Sequence, residues 1–164
     1  MRIQVMDIPA DYEVRLMTAR WSLAESARDF PDDTIEWYMD LYQRSETTRD
    51  LPVCVVAYLD GKLAGSGMLI DDDGLADAEE PGPWVAAVFV SPPARLKGVG
   101  GAIVDQLVTR GHGLGFETLY LYTEKSIDWY EDMGWTVVRE AQLAGHPVTV
   151  MSHHQPIEAD VTTT

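Results

Sequence analysis

A chain of 164 residues with 27 acidic against 12 basic side chains carries a formal net charge of −15, a field that repels nucleic acid and anionic membrane surfaces and favours cationic small molecules or basic peptides. Its 46% hydrophobic and 24% charged content supports a real core and excludes disordered and fibrous classes. No apolar run approaches the ~18 residues of a membrane span, the start "MRIQVMDIPADYE" lacks the apolar centre of a leader, and a lone cysteine permits no intrachain disulfide, so a cytoplasmic protein with a single domain over residues 1–164 is expected.

In chain order, "RIQVMDI" reads as a short strand ended by Pro9. From Ala10, Tyr12, Leu16, Ala19, Leu23, Ala27 and Phe30 recur at helical spacing, which predicts a helix of about 18 residues with those side chains on its buried face. Thr34 is placed to cap a second helix presenting Ile35, Tyr38, Leu41 and Tyr42. Two β-rich runs then flank Asp60 and Gly61, a dipeptide that supplies the positive φ angles of a tight hairpin. Cys54 sits in the first run as a small buried hydrophobe.

Residues 71–83 carry six carboxylates among glycines and prolines without periodicity, which predicts an exposed loop; the spacing is not that of a calcium loop. "WVAAVFV" is too uniformly apolar to have a wet face and is expected at the centre of the sheet. A helix is expected from about Gly98, ended by the glycines at 111, 113 and 115. A strand, the short helix "SIDWYEDM" and two closing strands complete the chain. His153 and His154 are adjacent, face opposite sides of a strand and cannot chelate one metal, and no metal site is indicated.

The chemistry concentrates in "SPPARLKGVGGAIVDQL", residues 91–107. Arg95, Gly98 and Gly100 spell R-x-x-G-x-G between a central strand and a helix start, where unpaired backbone N–H groups and the positive end of the helix dipole favour an anion. Glycine removes the Cβ that would obstruct it. Arg95 and Lys97 add charge after a stretch from residue 63 to 94 that holds no Lys or Arg. A dinucleotide fingerprint fails because Ile103 stands where its third glycine belongs, and there is no Gly-Lys-Ser/Thr triplet for a P-loop.

This stretch resembles motif A of the GNAT superfamily of acetyl-CoA-dependent N-acetyltransferases, and "WYEDMGW" is similar to that family's aromatic-Tyr-Glu-x-x-Gly-aromatic signature. The order of elements matches the family across nearly the whole chain. The resemblance implies an α/β GNAT fold: a mixed, mostly antiparallel sheet of about seven strands with helices on both faces, splayed between two central parallel strands. It also implies acetyl-CoA as co-substrate, with the pantetheine arm along Val88, Phe89 and Val90 and the pyrophosphate wrapped by Arg95, Leu96, Lys97, Gly98, Val99, Gly100 and Gly101.

By the same resemblance Tyr130 is the acid that protonates the departing thiolate, in direct transfer of an acetyl group to a primary amine on a small molecule or peptide. The family often has asparagine and alanine where Thr123 and Ser126 stand; Thr123 remains a candidate cofactor contact. It also often has a glutamate in the strand before motif A, where this chain has no ionisable residue, so the general base is unassigned, the candidates including a water chain leading to Asp73, Glu79, Glu80 or His146. Trp84, beside the acidic loop, is a candidate groove residue. A homodimer is compatible with this reading. The alternatives are an acyl-CoA-binding regulatory module without turnover and a non-catalytic domain that binds basic proteins through its acidic loop.

Overall fold

Asp60 and Gly61 adopt φ of 51° and 84° and turn the chain tightly enough to align β2 (Val53–Leu59) with β3 (Lys62–Ile70) in antiparallel register. This hairpin seeds the sheet. The computed structural model describes residues 1–156. In it β1 (Ile3–Asp7) pairs with β2, β4 (Trp84–Val90) with β3, β5 (Thr118–Thr123) with β7 (His146–His154), and β7 with β6 (Thr136–Leu143), all antiparallel. Only β4 and β5 run parallel, giving a seven-stranded sheet in the order β1-β2-β3-β4-β5-β7-β6. The central place expected for "WVAAVFV" is the one β4 takes.

Alternation along the strands makes two cores. Cys54 and Val56 point to the face covered by α1 (Tyr12–Ser26) and α2 (Ile35–Ser45), with Ala19, Tyr38, Leu41 and Tyr42. Val53, Val55 and Ala57 point to the other, covered by α3 (Val99–Gly113) through Val99, Ile103, Val104 and Leu107. The short α4 (Ile127–Asp132) lies on this second side, its Tyr130 packed against the same cluster. As expected, Thr34 caps α2, its hydroxyl accepting the Trp37 N–H at 3.1 Å.

Two expectations about helices fail for physical reasons. The first helix has 15 residues, starts after an Asp11 cap, and leaves Tyr12 60% exposed and Phe30 beyond its end. Its buried face is built from Thr18, Ala19 and Ser22, whose hydroxyls are satisfied by the carbonyls of Val14 and Thr18, with Ser22 also bonded to the Tyr42 hydroxyl. Polar side chains that close their own hydrogen bonds bury as well as apolar ones do. The glycine run also does not end the second long helix where expected: Gly111 and Gly113 lie inside α3, and only Gly115 takes a positive φ, 98°. Gly111 is small because β5 passes close by; a Cβ there would lie 2.7 Å from a Leu119 methyl.

Sheet and helix approach closely at Gly65 as well, where a Cβ would meet the Phe89 carbonyl oxygen at 2.5 Å and Ile103 at 3.0 Å. Backbone oxygen cannot swing aside, so Gly65→Ala should lower the unfolding free energy by about 1–3 kcal/mol. Gly113, with open space around it in the last turn of a helix, should gain roughly 0.5–1 kcal/mol as Gly113→Ala. Urea unfolding of both variants checks the opposite signs.

Candidate active site

Strands β4 and β5 meet at one place. Their register is the single pair Trp84↔Tyr120, supported by the Tyr120 N–H donating to the Pro83 carbonyl at 2.9 Å; beyond it β4 keeps a partner only on its β3 side. Between the pairs Met68↔Ala86 and Ser66↔Phe89, β4 spends one residue more than β3. The extra residue is accommodated at Ala87, whose φ of 52° is costly for a residue with a Cβ. A bulge at this point bends β4 and redirects the backbone groups that follow. The opening is part of a cavity of about 800 Å³, lined by Val85, Ala86, Ala87 and Val88 from β4, Tyr122 and Thr123 from β5, and Ser126 and Tyr130 at α4.

The R-x-x-G-x-G segment lies past the end of β4. A 3-10 turn, Pro92–Ala94, leads into Leu96 and Gly98, both with positive φ (61° and 88°). The first α-helical bond at this end runs from the Ala102 N–H to the Gly98 carbonyl at 3.1 Å, so the N–H groups of Val99, Gly100 and Gly101 have no acceptor among the described residues. Successive free N–H groups at a helix start form an anion-binding concavity. Lys97 and Leu96 are exposed beside it. Arg95 is turned back: its Nε donates to the Val90 carbonyl at 3.0 Å and its guanidinium stands 5.8 Å from the Phe89 ring centroid. It braces the end of β4.

The predicted residues therefore fall into two groups. Val88, Thr123 and Tyr130 line the cavity, whereas Phe89, Val90 and residues 95–101 are outside its lining, at the end of β4 and in the turn into α3. Thr123 Oγ1 accepts the Ser126 N–H at 3.1 Å, which leaves its own proton to give. Trp129, not singled out from the sequence, covers the helix start, its ring 3.4 Å from where a Gly100 Cβ would stand. Only the tertiary fold brings α4 over this turn. Trp84 is buried in the sheet against Tyr120 and Tyr122 and does not line the cavity.

Tyr130 is held by edge-on contacts with Trp129 and Trp135. Its hydroxyl has no protein partner among the described residues, and burial pushes its pKa up to about 12. At neutral pH it is a proton donor without a recipient. Cys54, by contrast, is walled into the core, where burial pushes its thiol up to about 12 and keeps it unreactive.

The remaining wall is acidic. Glu25, Asp29, Asp33, Asp71, Asp72, Asp73 and Glu124 all line the cavity, with Arg44 as its one cation among the described residues. Arg28 bonds Asp29 at 3.1 Å and Glu124 at 2.8 Å, and His146 Nε2 lies 2.8 Å from Asp29. The Arg28 guanidinium holds both carboxylates below their usual range. Of the four base candidates, only Asp73 lies on the wall. His146 is engaged with Asp29 behind it, Glu80 is committed to Arg139 at 2.9 Å, and Glu79 is exposed elsewhere. Sequence order could not reveal the acidic wall, because its members come from α1, the α1–α2 loop, the β3–β4 loop and the end of β5. Among the described residues no group of three His, Cys, Asp or Glu side chains is arranged to hold a metal ion, and no helix is long and apolar enough to cross a membrane.

No curated protein sequence matches the chain significantly. Solved structures do. They include yncA from Salmonella typhimurium, assigned as an acetyltransferase and solved with its cofactor acetyl-CoA (15% identity, 100% of both chains, TM-score 0.73). An aminoglycoside 6'-N-acetyltransferase complexed with coenzyme A aligns at 16% identity over 98% of this chain and 100% of that one, with a TM-score of 0.68. A protein from Exiguobacterium sp. 255-15, also assigned as an acetyltransferase, aligns at 19% identity over 94% of each chain, with a TM-score of 0.62. At such identities the likeness is one of fold. The model of the acetyltransferase (GNAT) family matches residues 16–135, from the first helix through the splayed strands and the glycine turn to the end of "WYEDMGW". With more than half of its length matched, the chain belongs to the GNAT family of acetyltransferases.

Proposed function

We propose that this protein moves an acetyl group from acetyl-CoA directly to a primary amine that carries further positive charge, with Tyr130 as general acid. The observation that carries the reading is the convergence, on one cavity, of a free strand edge, an unpartnered and partly buried phenol and a wall of seven carboxylates. The residues present fit acetyl-CoA. The unpaired N–H groups of Val99, Gly100 and Gly101 suit a pyrophosphate, and the absence of a Cβ at 98, 100 and 101 admits its close approach.

In this reading Leu96, Lys97, Gly98, Val99, Gly100 and Gly101 enclose the pyrophosphate, Arg95 joining them on release from the Val90 carbonyl, and Val88, Phe89 and Val90 bond the pantetheine amides as a strand partner would, with Thr123 opposite. Bound acetyl-CoA supplies an activated acetyl group on a thiolate leaving group. Tyr130 holds a proton at Oη where that sulfur departs, and its raised pKa keeps the proton in place until then. The carboxylate wall concentrates a cationic acceptor and orients its charged ends away from the reacting nitrogen. Among the structural neighbours is an aminoglycoside 6'-N-acetyltransferase, an enzyme named for a polycationic amine.

A second reading, an acyl-CoA-binding module without turnover, draws on the lack of any ionisable side chain in β4. Release of CoA in the presence of an amine panel separates the two.

Three outcomes are expected. Acetyl-CoA should raise the melting temperature in proportion to the logarithm of its concentration above Kd, and Gly100→Glu should abolish the shift by putting bulk and negative charge against Trp129 and Val90; calorimetric titration checks the stoichiometry of one per chain. Tyr130→Phe should leave acetyl-CoA affinity unchanged and cut kcat by roughly ten- to a thousandfold, read in single-turnover transfer. Neutralising Glu25→Gln, Asp33→Asn and Asp71→Asn together should lower kcat/KM for a dicationic amine and flatten its salt dependence while sparing a monoamine. Equal losses for both acceptors would remove the charge argument.

A further inference from the structure

Resting on the acetyl-transfer reading, we propose that Asp73 is the general base of this enzyme, taking the proton from the acceptor's ammonium group before its nitrogen attacks. Three observations lead to this residue. Strand β4 has no ionisable side chain, so the base must come from elsewhere on the cavity. Of the cavity carboxylates, Asp29 and Glu124 are tied to Arg28, Asp33 accepts the Tyr38 hydroxyl at 2.8 Å and Asp72 accepts the Gly74 N–H at 2.9 Å. Glu25 and Asp71 are exposed to water. Asp33 and Asp73 are the partly buried carboxylates of the wall that have no ion-pair partner among the described residues, and with Asp33 taken by the Tyr38 hydroxyl, Asp73 is left.

Its backbone is fixed. The Tyr122 hydroxyl donates to the Asp73 carbonyl at 2.9 Å, and the following Gly74, with φ of 77°, lies so close over the Phe30 ring that a Cβ would meet it at 2.7 Å. Asp73 is thus anchored on the same cavity as Tyr130, base and acid being supplied by the β3–β4 loop and α4.

The surroundings disfavour its ionised form. Burial is the larger cause, the neighbouring charge of Asp72 adds to it, the Tyr122 hydroxyl offsets part, and Asp33 contributes further; the carboxyl is pushed up to about 8. Facing this region are Asp71 and Asp72 from its own loop, Glu25 from α1, Asp29 and Asp33 from the α1–α2 loop, Tyr38 and Arg44 from α2, and Tyr122 and Glu124 from β5 and its end. Arg28 and His146 stand behind Asp29. A base titrating near the working pH is matched to its task. In the step, one proton passes from nitrogen to an Asp73 oxygen and the N–H electron pair remains on nitrogen as the attacking lone pair. Asp73 then returns this proton to water, the one released per turnover, while the second N–H proton, shed as the C–N bond forms and the C–S bond breaks, replaces the one Tyr130 gives to the sulfur.

Transfer from acetyl-CoA to spermidine across pH 5.5–9.5 tests the assignment. In the parent protein, kcat/KM should rise tenfold per pH unit and level near pH 8. Asp73→Asn should lose that limb together with about a hundredfold or more in rate, with acetyl-CoA affinity intact. Asp72→Asn, which removes the nearest like charge, should move the limb to lower pH. A second readout needs no substrate. A carboxyl raised from 3.8 to about 8 by folding costs stability increasingly as pH climbs between those values, so the melting temperature of Asp73→Asn should gain on the parent's from about pH 4 to pH 8 and hold its lead above. Transfer by the parent that Asp73→Asn leaves unchanged, or a limb that Asp72→Asn does not move, overturns the assignment alone. Failure of the parent to acetylate spermidine while binding acetyl-CoA overturns the cationic-acceptor reading and this assignment with it.

Discussion

The single parallel rung between Trp84 and Tyr120 is the constraint on which the site depends. A parallel ladder needs evenly repeated backbone on both strands, and β4 loses that repeat where Ala87 takes a positive φ. Strand β5 meanwhile stays in unbroken register with β7 over six residue pairs, Thr118↔His154 to Thr123↔Thr149. The two central strands therefore part company, and helix α3 sets how far, since Ile103 and Leu107 rest on β3 at Gly67 while Gly111 touches Leu119 of β5. Open strand edges are ordinarily a hazard. Here one is turned inward and surrounded.

The second organising fact is separation of charge between the glycine turn and the cavity wall. At the glycine turn, free N–H groups, Lys97 and the helix dipole make a positive patch; on the cavity wall, carboxylates from four segments make a negative one. A net charge of −15 would repel an anionic co-substrate at long range, so the positive patch matters through contact. It is built mainly from backbone, which cannot titrate. The wall is built from side chains, and the Arg28, Asp29, Glu124 and His146 cluster keeps two of its carboxylates ionised while leaving Asp73 without a counter-charge.

Much of this was legible from the residues. Local signals carried furthest: Asp60-Gly61 as a hairpin, Thr34 as a cap, "WVAAVFV" as the central strand and R-x-x-G-x-G at the start of α3 are each decided by neighbours in sequence. The failures involve partners far along the chain. Thr18 and Ser22 look like surface residues until the Tyr42 hydroxyl arrives, Gly111 looks like a terminator until β5 packs on it, and Trp129 shows no role until α4 is laid over the glycine turn. Glu79 and Glu80 share a run with Asp71–Asp73, yet the chain turns between them, and Arg139 on the edge strand β6 claims Glu80. The site roles assigned to Tyr130, Thr123 and the glycine turn rest on family resemblance and position together.

The one-rung junction also divides the molecule mechanically. Strands β1 to β4 form one leaf and β5 to β7 another, joined covalently through α3 and hydrogen-bonded across the sheet at Trp84 and Tyr120. Cooperative units of opening follow such seams, because few amides must be released to part them. Any molecule that bonds the inner edges of both leaves acts as a staple, adding its own binding free energy to the cost of parting them. Occupancy of the cleft would thus be recorded as slowed amide exchange along both β4 and β5.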